Sequence, residues 1–66
     1  MKIEVNGVER DVPEGLRVSE LLDTLELSPE QAAVELNRVL VPRAERGRTL
    51  LAEGDRVEIV TLVGGG

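Results

Sequence analysis

The sequence has no cysteine, no histidine and no aromatic residue. Without cysteine the chain forms no disulfide or thiolate metal site, and it cannot carry sulfur as a side-chain persulfide. Without histidine it lacks the commonest general base and metal ligand. Without aromatic rings it has no platform on which nucleic-acid bases stack. These absences argue against hydrolytic or nucleophilic catalysis by the chain alone and leave an aliphatic core.

Positive charge and long apolar runs are also scarce. Lys and Arg number 8 against 13 Asp and Glu, for a formal net charge of -5. This balance argues against a nucleic-acid partner and fits a protein partner with a basic surface. No apolar run approaches the ~20 residues of a membrane span, and the Met1-Lys2-Ile3-Glu4 start lacks the apolar region of a signal peptide. We therefore expect a cytoplasmic protein that contacts neither membrane nor nucleic acid.

The first part of the chain has the pattern of a β-hairpin. Ile3 and Val5 alternate with polar residues, and Asn6-Gly7 is the dipeptide that most favours a two-residue type I′ turn. Val8 and Val12 then share one face of a returning strand. Arg10 has the same parity, which indicates a partly open sheet edge.

A short amphipathic helix follows the hairpin. Val18, Leu21, Leu22 and Leu25 form one apolar stripe at i, i+3, i+4 and i+7, with Ser19 as the predicted N-cap. A helix of two to three turns is too short to stand alone, so we expect it to lie on a sheet. The segment 28–31 predicts one further short turn.

The second half predicts strands joined by turns. A third strand begins near Ala33, Asn37-Arg38 makes a turn, and Val39–Val41 forms a short fourth strand stopped by Pro42. We expect residues 43–48 to form an irregular surface loop or a single 3₁₀ turn. Leu50 and Leu51 are predicted to return to the core before a tight turn at residues 53–55.

The last strand, predicted from Arg56 to Val63, carries apolar residues on both faces. Such a strand is central in its sheet or meets a partner on its outer face. Placed parallel to the first strand, it gives an α+β fold of the β-grasp type, a mixed sheet with one main helix across one face. With 66 residues, the chain predicts a single domain over residues 1–63 and a flexible glycine tail over residues 64–66.

Val60 and Leu62 lie on the face of the last strand opposite Val57 and Ile59. One interpretation is an exposed apolar docking patch for a partner, joined by Leu40 or Val41 depending on register. The other is that both residues pack beneath the loop at residues 43–48. Arg43 is interpreted as an ordinary surface arginine and Asn37 as a turn-shaping residue.

The chain ends in Gly64-Gly65-Gly66, directly after the last strand. These glycines are either a disordered end, natural or left by a linker, or a slender tether for the terminal carboxylate. Glycine has no Cβ, so such a tether threads a narrow channel where side chains would clash. Since cysteine and histidine are absent, the sequence favours the Gly66 carboxylate as the reactive group.

Several of these segments together resemble one known family. They are Asn6-Gly7, Val18-Ser19-Glu20-Leu21-Leu22, Val34-Glu35-Leu36-Asn37, Val41-Pro42-Arg43, Gly54-Asp55-Arg56-Val57 and the terminal Gly65-Gly66. In this order and spacing the chain resembles, over nearly its whole length, the sulfur carrier protein of thiamine biosynthesis, the ThiS family of ubiquitin-like β-grasp proteins. That family's tail is usually two glycines, so Gly64 is a departure.

The resemblance implies a protein co-substrate that is not itself an enzyme and binds no cofactor or metal. An E1-like enzyme that consumes ATP would adenylate the Gly66 carboxylate, with Gly65 and Gly64 threading into its active site. A desulfurase or rhodanese-type protein would supply sulfur to give a thiocarboxylate. Thiazole synthase would then take the sulfur into the thiazole ring of thiamine. The carrier would be a monomer on its own.

Other functions share features with this one. The same chemistry serves molybdopterin synthesis and tRNA thiolation, whose carriers have the same fold and diglycine. A ubiquitin-like modifier would instead join Gly66 to a lysine, and a plain β-grasp interaction domain would not use its tail.

Overall fold

The computed structural model describes residues 1–62. The predicted domain end at residue 63 and the predicted tail, Gly64, Gly65 and Gly66, lie outside the described residues. The elements within them, in chain order, are the strands β1 (Lys2–Val5) and β2 (Val8–Asp11), the helix α1 (Val18–Thr24), a first 3₁₀ helix (Pro29–Gln31), the strands β3 (Ala32–Leu36) and β4 (Val39–Leu40), a second 3₁₀ helix (Arg43–Arg48) and the strand β5 (Arg56–Thr61).

The strands form one mixed sheet in the order β2-β1-β5-β3-β4. β5 lies at the centre, parallel to β1 and antiparallel to β3. The other neighbouring pairs are antiparallel. This arrangement confirms the predicted β-grasp fold, with the last strand central and the hairpin strand β2 at an edge.

The β1–β2 hairpin turns at Asn6 and Gly7, as predicted. Val5 pairs with Val8, and the two turn residues have φ of 50° and 82°. The Asn6 side chain continues the β1–β5 ladder, because its Nδ2 donates to Ile59 O at 3.0 Å and its Oδ1 accepts from Ile59 N at 2.7 Å. The turn is thereby fixed to the central strand.

The core lies between α1 and one face of the sheet. The predicted helical stripe is buried at Val18, Leu21 and Leu22, while Leu25 is half-buried. The sheet contributes alternate residues of its three inner strands, which are Ile3, Val5, Ala32, Val34, Val57 and Ile59. Burying one face of each strand is what the period-two pattern predicts.

The helix begins two residues earlier than predicted, and Ser19 is not its N-cap. Arg17 occupies that position, and the Glu20 carboxylate accepts its backbone N–H at 2.8 Å. Arg17 also forms a β-bridge with Leu50, and Val18 N–H donates to Thr49 O at 3.0 Å. These long-range backbone contacts fix where the helix starts, so the local preference for a serine cap does not decide it.

The helix ends in a Schellman motif, with Glu26 in the left-handed region at φ 58°. Leu27 N–H donates to Leu22 O and Glu26 N–H donates to Asp23 O, each at 3.0 Å. The motif folds the chain back, so that Leu25 and Leu27, both half-buried, pack against the core.

One prediction between β4 and β5 is wrong and another is confirmed only in part. Leu50 is 55% exposed, whereas Leu51 is buried as predicted. Neighbouring side chains of an extended segment point to opposite sides, so only one of the pair can face the core. For residues 43–48, predicted as a surface loop or a single 3₁₀ turn, the 3₁₀ conformation is confirmed, but it extends over six residues instead of one turn. Among the helices described, none is long and apolar enough to cross a membrane.

Candidate docking site at the end of β5

The end of β5 pairs with the start of β3 and with the residue just before it. Thr61 pairs with Ala32, and Leu62 N–H donates to Gln31 O at 2.6 Å. The backbone of β5 is therefore held as far as Leu62.

An apolar patch surrounds this point on the face of the sheet opposite α1. Val60 pairs with Ala33, and Leu40 lies opposite Glu35 on the same face. Val60, Leu62 and Leu40 are 61%, 63% and 60% exposed, and Ala33 is exposed as well. We call Ala33, Leu40, Val60 and Leu62 the outer patch.

Of the two candidates for joining this patch, the register selects Leu40. Val41 is buried instead, and its N–H donates to Val34 O at 2.9 Å. The alternative in which residues 43–48 cover Val60 and Leu62 is wrong, because the second 3₁₀ helix packs against α1. The outer patch therefore faces solvent within the described structure.

Arg46 is a buried residue that the sequence did not single out. It is 6% exposed, and its guanidinium donates to Pro29 O at 2.9 Å and to Ala32 O. These bonds connect the second 3₁₀ helix to the segment that pairs with Thr61 and Leu62. Within residues 1–62 its Nε has no hydrogen-bond partner. Because its acceptors are backbone carbonyls far away in sequence, no local pattern could have identified it.

Two ion pairs of the outer face lie at the opposite end of the sheet from the patch, whereas Glu35 and Glu58, opposite each other on β3 and β5, border the patch. Lys2 Nζ lies 3.2 Å from Asp11 Oδ2, and Arg56 Nε lies 3.4 Å from Glu4 Oε2. The hydrogen bond to Asp11 and that carboxylate's charge raise the pKa of Lys2 above its ordinary value. The outer face is thus apolar near Leu62 and charged near the start of β5.

Asn37 and Arg43 have the ordinary roles that the sequence suggested. Asn37 (φ 51°) and Arg38 (φ 69°) form the β3–β4 turn, and Asn37 Oδ1 accepts from Arg56 N at 2.9 Å. Arg43 pairs at the surface with Glu30 at 3.1 Å. Hydrogen bonds from the Ser28 hydroxyl and from the backbone N–H of Glu30 lower the pKa of the Glu30 carboxylate, and the charge of Arg43 lowers it by less.

Residues 1–62 contain no group of three or more acidic side chains placed to hold a metal ion. The features near Leu62 are a fixed strand end and an apolar surface.

Comparison with known proteins connects this geometry to a family. The sequence profile of the ThiS family matches residues 2–66, nearly the entire chain and both final glycines. The chain belongs to the ThiS family. Membership confirms the resemblance seen in the sequence and the link to thiamine biosynthesis. ThiS proteins are small sulfur carriers of that pathway.

A solved ThiS structure has the same fold. The crystal structure of the thiamine biosynthesis protein ThiS from Geobacter metallireducens superposes with a TM-score of 0.85 at 38% identity, covering 100% of both chains. Its close agreement confirms the ubiquitin-like β-grasp architecture.

The chain is similar to two relatives of very different length. A thiazole synthase from Magnetococcus marinus is 39% identical over 66 residues, and the chain spans only 20% of that protein. The protein ycf40 of Porphyra purpurea, named only as uncharacterized, is 36% identical, and the chain spans 93% of it. A ThiS-like sequence therefore occurs both alone and as about a fifth of a thiazole synthase.

Proposed function

We propose that this ThiS protein carries sulfur as a thiocarboxylate on Gly66 and donates it to the thiazole ring of thiamine. The observation that carries the proposal is the family match through residue 66, which includes Gly65 and Gly66. The chemistry of the sequence supports it, since the chain has no cysteine to hold a persulfide and no histidine for catalysis. All catalytic groups then belong to partner enzymes.

The proposed chemistry replaces one oxygen of the Gly66 carboxylate by sulfur. In an E1-like enzyme, a carboxylate oxygen attacks the α-phosphorus of ATP and pyrophosphate leaves, which gives the acyl-adenylate. The persulfide of a desulfurase or rhodanese-type protein then attacks the acyl carbon and displaces AMP, and a thiol reductant cleaves the resulting acyl disulfide, which leaves the thiocarboxylate on Gly66. The AMP keeps the carboxylate oxygen. ATP is consumed by the partner, so the carrier itself needs no resident cofactor.

The outer patch is the proposed docking surface for the adenylating enzyme. It includes Leu62, so an enzyme that covers it lies close in sequence to the glycine tail. Its apolar centre and charged periphery have the composition of a transient protein interface. Binding there offsets the cost of ordering Gly64 and Gly65, about 1–2 kcal/mol for each backbone residue fixed.

Thiazole synthase is the proposed consumer of the sulfur. Its name is that of relatives whose sequences contain a segment 39% and 36% identical to this chain. Joining carrier and consumer in one chain raises the effective concentration of each at the other's site. We therefore expect the carrier and thiazole synthase to bind each other when they are separate chains.

Intact-protein mass spectrometry tests the proposal. The protein, incubated with the adenylating enzyme, ATP and a sulfur donor, should gain the mass difference between one sulfur and one oxygen. Deleting Gly66 should abolish the gain and leave the fold unchanged. A gain that persists without Gly66 would rule out the terminal carboxylate. Adducts linked only to lysine would assign the chain to the protein modifiers.

A further inference from the structure

A second surface lies near the same end of β5, on the opposite face of the sheet from the outer patch. It is a groove of about 360 Å³ between the β1–β2 hairpin, β5 and the end of α1. Its apolar lining is Val5, Val8, Leu25, Leu27 and Ile59. Val8 is 58% exposed, and both leucines are half-buried. The groove is separate from the surface proposed to bind the adenylating enzyme.

One wall of this groove is an unpaired strand edge. Along β5 the backbone groups alternate in direction, with Val57 O accepting from Asn6 N on the β1 side and Leu62 N–H donating to Gln31 O on the β3 side. On the β1 side the Asn6 amide occupies both backbone groups of Ile59. Thr61 is the next residue facing that side, and within residues 1–62 the β1 ladder ends at Val57.

The N–H and C=O of Thr61 therefore point toward the groove edge and pair with no strand among residues 1–62. A main-chain donor and acceptor spaced this way are satisfied together by an extended segment, as in binding by strand addition. A helix lying in the groove satisfies neither, because its own backbone groups are already paired. The occupant that fits is an extended stretch of polypeptide.

The charge of the groove indicates which side chains the bound polypeptide carries. Arg10 is the only charged residue in the lining, it is exposed, and it makes no ion pair with the described residues. The protein as a whole carries a net charge of -5, so an unpaired arginine in an apolar groove is a local exception. An acidic side chain beside an apolar one complements this lining.

We propose that the groove binds an extended, acidic segment of thiazole synthase, which pairs with the main chain of Thr61. This rests on the proposed function, in which the carrier meets an adenylating enzyme and then the synthase. Two surfaces on opposite faces of one strand end let each enzyme hold the start of the tail by its own contacts. The synthase is assigned to the groove because the outer patch serves the other enzyme.

Binding to the thiazole synthase of the same organism, measured by isothermal titration calorimetry, tests the charge. Arg10→Glu should weaken binding about tenfold or more, the scale of losing one charge-assisted contact. Arg48→Glu is the matched control, since it makes the same change of net charge at an exposed arginine of the second 3₁₀ helix. It should bind like the parent protein.

A second pair of variants tests the strand edge. Thr61 and Ala32 form a non-hydrogen-bonded pair, so Thr61→Pro removes the N–H that faces the groove and no N–H that β3 uses. Thr61→Val keeps the N–H and changes only the side chain. We expect Thr61→Pro to bind about tenfold or more weakly and Thr61→Val to bind nearly as the parent.

The inference is overturned if Arg10→Glu binds the synthase as tightly as Arg48→Glu, or if the parent protein does not bind it. Arg10 is exposed at a sheet edge, so its variant tests the groove even if Thr61→Pro fails to fold. The sulfur-for-oxygen mass gain reports separately on the proposed function. Arg10→Glu that still gains sulfur but binds the synthase weakly supports the groove; a parent protein that gains no sulfur refutes the proposed function instead.

Discussion

Two asparagines connect the hairpin turns to the central strand. Asn6 bonds both backbone groups of Ile59, and Asn37 bonds the backbone N–H of Arg56 and the carboxylate of Asp55. Both adopt positive φ, which asparagine tolerates better than most residues. Each residue thus forms its turn and also fixes that turn to β5.

The Asn6 contacts predict a clear loss of stability in Asn6→Gly. Glycine accepts the positive φ at no cost, so the variant isolates the side-chain hydrogen bonds. Leaving the backbone groups of Ile59 without these partners should lower the free energy of unfolding by about 1–3 kcal/mol. Urea denaturation followed by circular dichroism measures this change.

Glu26→Gly is the matched control for that experiment. Glu26 also has positive φ, at 58°, and its exposed side chain makes no hydrogen bond to the described residues. Relief of the left-handed backbone should offset the added entropy of the unfolded chain, leaving stability unchanged or higher by up to about 1 kcal/mol. An equal loss in both variants would show that the Asn6 bonds contribute little.

The sequence predicts residues whose roles depend on near neighbours. The Asn6-Gly7 turn, the helical stripe from Val18 to Leu22 and the alternation of β5 are all local patterns, and all are confirmed. The burial of Arg46 and the position of the α1 N-cap at Arg17 depend on backbone groups distant in the chain. A short-range pattern contains no information about such contacts.

At the level of elements, the second 3₁₀ helix (Arg43–Arg48) acts as a brace, by which we mean that it connects α1 to the segment that pairs with the end of β5. It packs against α1, and through Arg46 it also reaches the first 3₁₀ helix and the start of β3. The segment it holds supplies Gln31 O, the acceptor for Leu62 N–H. The second 3₁₀ helix thus stabilises the end of β5 at Leu62.

Replacing Arg46 with methionine tests this brace. The variant keeps most of the buried apolar volume but leaves the carbonyls of Pro29 and Ala32 without their donors. We expect a loss of about 1–3 kcal/mol in unfolding free energy and faster amide hydrogen exchange at Leu62. Arg48→Met removes an exposed arginine of the same helix and should change stability by less than about 0.5 kcal/mol.

The stability of Arg46→Met also shows which of two opposing energies is larger, the contribution of the Arg46 hydrogen bonds or the cost of burying its charge. Arg46 has no carboxylate partner within 4.0 Å among the described residues, so its burial carries a desolvation cost. If Arg46→Met proves equally or more stable, that cost exceeds the contribution of the two hydrogen bonds. If the exchange of Leu62 is also unchanged, the strand end does not depend on the brace.

At the scale of the whole molecule, the sheet exposes different chemistry at its two ends. Paired charges lie near the start of β5, and the outer patch and the groove lie near its end. The sequence predicted Val60 and Leu62 on one face but left their exposure open. Only the packing of residues 43–48 against α1 decides that they face solvent, and this packing is a tertiary contact.

Leu62→Asp tests whether the outer patch docks the adenylating enzyme. A charge in the centre of an apolar interface is desolvated without a partner, so the rate of sulfur-for-oxygen exchange should fall about tenfold or more at limiting enzyme. Because the Leu62 side chain is 63% exposed and the bond of Leu62 to Gln31 is made by its backbone, the unfolding free energy should change by less than about 0.5 kcal/mol.

Leu50→Asp is the matched control, because it introduces the same charge at another exposed leucine, next to the start of α1 and outside the patch. It should exchange sulfur at the parental rate. Equal slowing in both variants would attribute the effect to net charge, and global unfolding of Leu62→Asp alone would place Leu62 in the core. Slowing of Leu62→Asp alone, with the fold intact, identifies the outer patch as the surface that brings the tail to the enzyme.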